Sequence, residues 1–203
     1  KLIDSLAQGN KTLLDVGAGT GDFLVVAREK GWTINGVEPN TTAKERAADK
    51  GIDLDVGLQS LPPKKYQVIT LWHVLEHLPN LDMQIEKLSS LLEDSGTLII
   101  AVPNFKSYDA KYYKNFWAAF DVPRHLWHFS RTSIKKLFFE HSLNVVQTRP
   151  MVFDAFYVSL LSEKYKSGKQ NFLRAFLIGL RSNILAYRSK EYSSIIYMLQ
   201  KEH

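Results

Sequence analysis

The stretch "LLDVGAGTGDF" constrains the fold more than any other part of the sequence. It places Gly17, Gly19 and Gly21 directly after an apolar run typical of a strand and before a segment with helical periodicity. Glycines at such a junction let the backbone approach a ligand closely, and the following helix offers free N–H groups. A simple tight turn is the alternative, which three alternating glycines disfavour. The loop therefore predicts an α/β protein that binds a ligand at the end of its first strand.

The glycine spacing also bears on the kind of ligand. The dinucleotide fingerprint is G-x-G-x-x-G, whereas here the third glycine falls one residue early and Asp22 occupies its place. Glu38 ends the second predicted strand, where a carboxylate can bind both hydroxyls of a ribose. That carboxylate does not separate NAD from other ribonucleoside cofactors. The glycine spacing favours a cofactor other than NAD.

Strand-like and helix-like segments alternate along the chain, which predicts a doubly wound, mostly parallel α/β sheet. Seven strands are expected, including a weak one in "IDLDVG" and a final antiparallel pair in "LNVVQTRPMVF" and "YSSIIYML". Helices are expected over "DMQIEKLSSLLEDSG" and from Ser130, whose hydroxyl can cap the helix, to about His141. Residues 154–190 are too long and too apolar for a plain loop. They predict one or two helices inserted between the last two strands.

Composition narrows the class of protein. The 203 residues suit a single α/β domain spanning 1–203, and the absence of cysteine excludes disulfides and cysteine-ligated metal sites. No apolar run approaches the roughly 20 residues that span a bilayer, so a cytoplasmic protein is expected. The net charge is +5, and residues 149–203, with nine basic and four acidic side chains, carry the entire excess. This asymmetry hints at an anionic partner for the C-terminal part.

Four segments, taken together and in order, resemble a known family. "LLDVGAGTGDF", "GVEPN", "YQVITLWHVLEHLPN" and "LLEDSGTLIIAVPN" are similar to successive motifs of class I S-adenosylmethionine-dependent methyltransferases. The similarity is greatest to the small-molecule branch with a "VLEH" motif, which includes quinone and sugar methyltransferases. It covers residues 12–104 well and extends to about 145 through "PRHLWHFS". The resemblance implies S-adenosylmethionine as cofactor and the seven-stranded methyltransferase sheet.

Carried over by position, the resemblance assigns the glycine loop to the methionine part of the cofactor and Glu38 to the ribose hydroxyls. Gln59 stands where the family often has an acidic residue near the adenine amino group, so Gln59 or a backbone carbonyl would make that contact. The end of the fourth strand would face the cofactor. The implied cofactor-binding residues are Asp15, Gly17, Ala18, Gly19, Gly21, Glu38, Pro39, Gln59, Leu71, Trp72 and His73.

The string "WHVLEHLPN" holds His73, Glu76 and His77 in the H-x-x-E-H spacing that inverted zinc peptidases carry on a helix. That hypothesis needs both imidazoles on a regular helix and a third ligand further on. Here His73 ends a predicted buried strand, and Pro79 ends any helix within two residues of His77. The sequence therefore predicts no metal site. His73 would face the cofactor pocket, and Glu76 and His77 would hold the turn through hydrogen bonds.

Residues 105–128 form an aromatic-rich loop that is expected on the substrate side. His125 and His128 in "DVPRHLWHFS" can face the acceptor, where a neutral imidazole can take a proton from a hydroxyl or amine. Packing of this loop against the sheet is an equally supported interpretation. The predicted catalytic residues are His125, His128 and His73, and the predicted substrate-pocket residues are Tyr108, Tyr112, Trp117 and Arg124.

In the C-terminal insert, Arg174, Arg181 and Arg188 recur every seven residues, so a continuous helix aligns them on one face. Apolar residues would form the other face. A lid packed on the domain or a dimer contact is the favoured interpretation, and a peripheral membrane contact is the second. Nucleic acid is not expected as a partner, because no motif for it is present.

The sequence thus predicts a methyltransferase acting on a small molecule, with a sugar, quinone or lipid-linked acceptor among the candidates. A non-catalytic binding module or regulatory subunit with the same fold is the alternative, and an NAD-dependent oxidoreductase is the third. The intact glycine loop and Glu38 argue against the non-catalytic module. The oligomeric state is left open.

Overall fold

A computed structural model describes residues 2–6 and 10–202, and the part it describes is an α/β structure with one central sheet. The strands are β1 (Thr12–Val16), β2 (Thr33–Val37), β3 (Tyr66–Trp72), β4 (Leu92–Pro103), β5 (Leu143–Pro150) and β6 (Ser194–Lys201). The α-helices are α1 (Asp22–Glu29), α2 (Thr41–Ala48), α3 (Leu81–Leu91), α4 (Tyr108–Tyr113), α5 (Arg131–Phe139), α6 (Asp154–Ser167) and α7 (Phe172–Ser189).

The sheet has the order β2-β1-β3-β4-β6-β5. The first four strands are parallel, and β6 runs antiparallel to both β4 and β5. Helices α1 and α2 cover one face and α3 and α5 cover the other, each over a separate apolar core. The doubly wound sheet and its antiparallel C-terminal pair were both predicted, and the structure confirms them.

The prediction of seven strands is wrong for the residues that the structure describes. The "IDLDVG" segment reaches β2 through a single bridge between Asp55 and Val37. Its Ile52 and Leu54 are buried, but Asp53 and Val56 are exposed. Only two side chains therefore hold it against the core, which is too little to continue the ladder. The sheet has six strands.

The boundary between α3 and β4 also differs from the prediction, which extended the helix to Gly96. Leu92 is wholly buried and pairs with Tyr66 of β3. Regular pairing resumes at Val68 with Thr97 and continues along both strands. Residues 93–96 are therefore an irregularity in β4. Sheet pairing of Leu92 thus replaces the last predicted helical turn.

Side-chain caps fix several helix starts. The Ser130 hydroxyl accepts a hydrogen bond from the Ser133 N–H at 3.1 Å, which confirms the predicted cap of α5. The side-chain carbonyls of Asn40 and Asn171 accept in the same way at the starts of α2 and α7. The expected insert between the last two strands consists of two helices, α6 and α7.

The packed face of α7 differs from the expected one. Its small residues lie against the rest of the molecule, and Gly179 lets α7 approach Phe156 of α6 so closely that a Cβ there would be 2.7 Å from the Phe156 ring. The large apolar side chains point outward. The buried residues are Ala175, Ile178, Gly179, Ser182 and Ala186, and the exposed ones include Phe172, Leu173, Phe176, Leu177, Leu180 and Ile184.

Asp15, the residue before the last of β1, gives the fold a pH-sensitive element. Its carboxyl group is almost wholly buried and accepts a hydrogen bond from the Thr70 hydroxyl at 2.6 Å. Burial raises the pKa of Asp15 from 3.8 to about 7, although the Thr70 hydrogen bond opposes this shift. The folded state therefore holds this proton more tightly than the unfolded state.

We expect Asp15→Asn to reduce the pH dependence of stability. Between about pH 4 and pH 7 the unfolded chain loses the Asp15 proton first, so the wild-type free energy of unfolding falls as the pH rises through this window. The asparagine variant cannot ionise and keeps an oxygen for Thr70. Relative to wild type it should gain roughly 2–4 kcal/mol between pH 4 and pH 8, as measured by urea denaturation. Parallel stability curves for the two proteins would contradict the assignment.

Candidate active site

The glycine loop between β1 and α1 lies at the C-terminal edge of the sheet, where ligands bind in α/β folds. Gly17 has φ +73°, and a Cβ atom there would lie 2.3 Å from Val74 Cγ2. The loop therefore packs directly on the residue that follows β3 and His73. Gly21, also with positive φ, begins α1 and leaves the first N–H groups of that helix without a side-chain cap.

Glu38, directly after β2, faces the glycine loop. Its two carboxylate oxygens accept hydrogen bonds from the Gly19 and Asn40 N–H groups, both at 2.9 Å. Each carboxylate oxygen has a second acceptor position, because an ionised carboxylate can accept about four hydrogen bonds. The two backbone contacts thus orient Glu38 and leave acceptor capacity for a ligand.

The end of β3 leads into a second concave region, a cavity of about 360 Å³ that we call the histidine cavity. It lies between the end of β3, the loop before α5 and the start of α6. The α6 side contributes Tyr157, Val158 and Leu161. The charged and titratable lining consists of His73, Glu76, Asp121, Arg124, His125 and Asp154.

His73 sits between two carboxylates in this cavity. Its Nδ1 lies 3.4 Å from Glu76 Oε1, and its Nε2 lies 3.2 Å from Asp154 Oδ2 at the start of α6. Burial favours the neutral ring, but the two carboxylates outweigh it and raise the pKa of His73 to about 9. At neutral pH the ring is therefore an imidazolium, which has no free electron pair with which to accept a proton.

His125 faces the same cavity, but its surroundings shift its pKa in the opposite direction from that of His73. Its Nδ1 lies 2.8 Å from the Ala119 carbonyl, which can only accept, so Nδ1 carries the hydrogen. Nε2 then carries the electron pair, and it lies 3.9 Å from Asp121 Oδ2. Burial lowers the pKa of His125 below its usual value, although the Ala119 hydrogen bond opposes this shift. Asp121 is in turn held by Arg124, whose Nη2 lies 2.6 Å away.

Comparison with known proteins decides the family. A family model described as "Methyltransferase domain" matches residues 1–148. The chain belongs to this methyltransferase family. Its small-molecule branch uses S-adenosylmethionine, and a structural neighbour, magnesium protoporphyrin IX methyltransferase from Synechocystis, was solved with bound S-adenosylhomocysteine. That neighbour has a TM-score of 0.63 at 17% identity, over 99% of this chain and 82% of its own.

Curated relatives match about half of the chain. An uncharacterised methyltransferase from Geobacillus thermodenitrificans is 29% identical over 111 residues, 51% of this chain and 52% of the relative. A ubiquinone biosynthesis O-methyltransferase from Photobacterium profundum is 30% identical over 110 residues, 48% of this chain and 47% of the relative. The chain thus spans about half the length of these relatives.

The fold likeness extends further along the chain. A methyltransferase from Archaeoglobus fulgidus, described as dependent on S-adenosylmethionine, covers 98% of this chain and 89% of its own with a TM-score of 0.65 at 17% identity. The match therefore covers a larger share of the chain than the curated alignments do. At such identities the likeness shows the fold alone.

The site at the glycine loop fits S-adenosylmethionine. No atom lies within 4 Å of the place where a Cβ of Gly19 would stand, so the loop is open there. Glu38 has acceptor capacity for ribose hydroxyls. The indole N–H of Trp72 is buried without a hydrogen-bond partner among the described residues. When bound, this cofactor supplies an electrophilic methyl carbon on a sulfonium.

Several predicted cofactor contacts are placed differently by the structure. Leu71 is wholly buried in the main core, because side chains alternate along β3, so its side chain cannot face a ligand. Asp15 lies beneath the glycine loop, where its carboxyl group accepts a hydrogen bond from the Thr70 hydroxyl. Gln59 is exposed in a short 3₁₀ turn. Ala18 lies within the loop with its side chain buried in the core, and Pro39 is exposed directly after Glu38.

Three predicted substrate-pocket aromatics do not line the histidine cavity. Trp117 is buried and donates from Nε1 to Asp109 at 2.8 Å. Tyr108 and Tyr112 stack on each other with ring centroids 6.2 Å apart. These side chains anchor α4 against the α6–α7 insert, and the structural interpretation of the aromatic loop holds for them.

His128 also lies outside the cavity. It is exposed, and its Nε2 lies 2.9 Å from the Phe120 carbonyl. Its catalytic assignment is therefore not supported by position. Arg124 and His125 are the predicted substrate-side residues that the structure brings to the cavity. Asp121 and Asp154 were missed because single acidic residues in a loop and at a helix start carry no sequence signal of their own.

We expect Glu38→Ala to weaken S-adenosylmethionine binding by about 1–3 kcal/mol, a factor of roughly 5–150, because charged hydrogen bonds to the ribose are lost. Isothermal titration calorimetry measures the change. Glu45→Ala is the matched control, since Glu45 is an exposed carboxylate on α2. Equal affinity in the Glu38 variant and wild type would show that the ribose lies elsewhere.

Proposed function

We propose that residues 1–203 act as one S-adenosylmethionine-dependent methyltransferase domain that methylates a small molecule held in the histidine cavity. One observation carries this proposal: the chain at the end of β3 contacts the cofactor loop and also lines the histidine cavity. Val74 packs against Gly17 of the cofactor loop, while His73, one residue earlier, lines the cavity. A group held by the loop and a molecule in the cavity are thereby neighbours, as in-line methyl transfer requires.

The substrate side comprises residues 105–128 and 154–190. The charged lining of the cavity binds polar groups of the acceptor, and the apolar wall from α6 excludes water. His125 is the predicted catalytic residue with the best position, because its Nε2 electron pair can accept a proton from an acceptor hydroxyl or amine. His73, as an imidazolium between two carboxylates, positions Asp154 and the start of α6.

Cofactor binding tests the proposed function directly. We expect the protein to bind S-adenosylmethionine and S-adenosylhomocysteine with micromolar affinity and NADH at least a hundredfold more weakly, in calorimetric titrations of the full chain. The physical reason is the glycine spacing, which lacks the third glycine of the dinucleotide fingerprint. Failure of both S-adenosylmethionine and S-adenosylhomocysteine to bind below millimolar concentration would exclude the proposed activity. A non-catalytic module would bind the cofactor but turn over no acceptor.

The exposed face of α7 supports a peripheral membrane contact and, with it, a lipid-linked acceptor. Leu173 is 72% exposed and Phe172 68%, at the start of a helix that also carries three exposed arginines. Apolar side chains beside basic ones suit an anionic lipid surface. No helix of the described residues is long and apolar enough to cross a membrane. The cytoplasmic location stays a prediction.

We expect the protein to bind vesicles of phosphatidylcholine with about one quarter phosphatidylglycerol, and binding to weaken with added salt. The double variant Phe172→Ser/Leu173→Ser should lower the partition coefficient at least tenfold, because two apolar side chains no longer insert. Phe139→Ser is the control, since Phe139 is 60% exposed on α5. Vesicle flotation measures both. Equal flotation of the double variant and wild type would exclude this surface as the membrane contact.

A further inference from the structure

Glu76 is a buried carboxylate whose charge is incompletely matched. Its side chain is 1% exposed, and neither of its oxygens has a hydrogen-bond partner among the described residues. The nearest cationic group is His73, at 3.4 Å, and His73 also pairs with Asp154. An ionised carboxylate in such a place is costly unless a positive charge compensates it. The position therefore calls for a further cation.

Two imidazoles lie beside this carboxylate, and each has a backbone carbonyl next to its Nδ1 atom. The rings of His77 and His125 have centroids 4.6 Å apart. The Nδ1 of His77 lies 3.0 Å from the Arg124 carbonyl, and the Nδ1 of His125 lies 2.8 Å from the Ala119 carbonyl. Carbonyl oxygens only accept, so both Nδ1 atoms donate, and in the neutral form of each ring Nε2 carries the electron pair. Histidines that bind metals are oriented in this way by a hydrogen bond from the other ring nitrogen.

The three side chains converge. One ligand atom each from Glu76, His77 and His125 lies within 4.8 Å of the other two. Ligand atoms around a bound Zn²⁺ lie about 3–3.5 Å apart, because each is about 2.0–2.2 Å from the metal. Side-chain movements of about 1 Å therefore bring all three to bonding distance.

The backbone holds the two contributing segments together. Glu76 and His77 belong to the 3₁₀ turn Leu75–His77. The Glu76 carbonyl accepts hydrogen bonds from the N–H groups of Leu126 and Trp127, at 2.8 and 3.3 Å. The segment that carries His125 is thus fixed against the turn that carries the other two residues.

We propose that Glu76, His77 and His125 bind a divalent transition-metal cation of the Zn²⁺ class at the wall of the histidine cavity. Two imidazole nitrogens and one carboxylate oxygen are the ligand set of catalytic zinc sites with an open position. Glu76 and His125 line the cavity, so the open position faces it. This proposal departs from the sequence-based prediction of no metal site, which stays a prediction.

The site uses the H-x-x-E-H string differently from a zinc peptidase. His73 is not a ligand, since its two ring nitrogens face Glu76 and Asp154. His125, from the "PRHLWH" segment, supplies the second imidazole instead. Sequence spacing within one helix could not reveal this set, because the two segments meet only in the folded chain.

The effect of such a cation on the methyl acceptor rests on the proposed function and deepens it. A cation at this place would bind an oxygen of the acceptor and lower the pKa of its hydroxyl group, as bound metals do for water. The hydroxyl proton would leave to solvent through the open side of the cavity, and the cation would stabilise the oxygen that attacks the methyl carbon. In the metal-bound protein His125 would be a ligand in place of the proton acceptor described above, and the acceptor class is a hydroxyl-bearing molecule.

Metal binding is tested on the full chain after treatment with a chelator. We expect one equivalent of Co²⁺ to bind with visible d–d absorption and to be displaced by Zn²⁺. His77→Ala, His125→Ala and the near-isosteric Glu76→Gln should each weaken Co²⁺ binding at least tenfold. His141→Ala is the control, since His141 pairs with Asp82 away from the cavity. Circular dichroism verifies folding of each variant, and a variant that unfolds is replaced by His77→Gln or His125→Gln.

Titration of the same metal-free protein with S-adenosylmethionine separates the two proposals. Cofactor binding without stoichiometric Co²⁺ binding, or Co²⁺ affinity unchanged in the ligand variants, overturns the metal site alone. Absence of cofactor binding beside an intact Co²⁺ spectrum overturns the proposed function and leaves the metal site standing.

Discussion

The contact between Gly17 and Val74 is the constraint on which the rest of the site depends. A side chain at position 17 would collide with Val74, so the loop after β1 lies directly against the chain leaving β3. That contact brings the proposed cofactor loop to the residue next to His73. The cofactor loop follows β1 and His73 follows β3, and these strands are parallel neighbours. Their pairing from Leu13–Val68 to Val16–Leu71 fixes the relative position of the two strand ends. The register of the sheet therefore sets the distance between the cofactor loop and the histidine cavity.

The histidine cavity depends on a second set of contacts, made by segments remote in sequence. Asp109 is wholly buried and accepts hydrogen bonds from Trp117, Ser182 and Ser193 at 2.7–2.8 Å, which ties α4 to α7 and the start of β6. The close crossing at Gly179 then places α6 against the cavity. From there Asp154 reaches His73. The insert thus lines the cavity of the proposed site, and its large apolar side chains are exposed on the outside.

Local signals predicted much of the fold correctly. Gly17, Gly19 and Gly21 marked a loop between a strand and a helix, and Ser130 marked a helix start, because both depend on the backbone chemistry of a few adjacent residues. The errors arose where tertiary contacts compete with local preference. Sheet pairing of Leu92 ended α3 early, and the segment at Ile52 and Leu54 had too few buried side chains to form a seventh strand.

The sequence by itself determined the order of the strands and helices, the glycine loop and the position of Glu38 after β2, since periodicity and turn chemistry act over short distances. Only the tertiary structure decided which histidines share a cavity. His125 meets Glu76 and His77 because backbone hydrogen bonds join two remote segments, whereas His128, three residues on, turns to the Phe120 carbonyl. It also decided that α7 packs through its small residues, because close approach to α6 excludes the large ones from the interface.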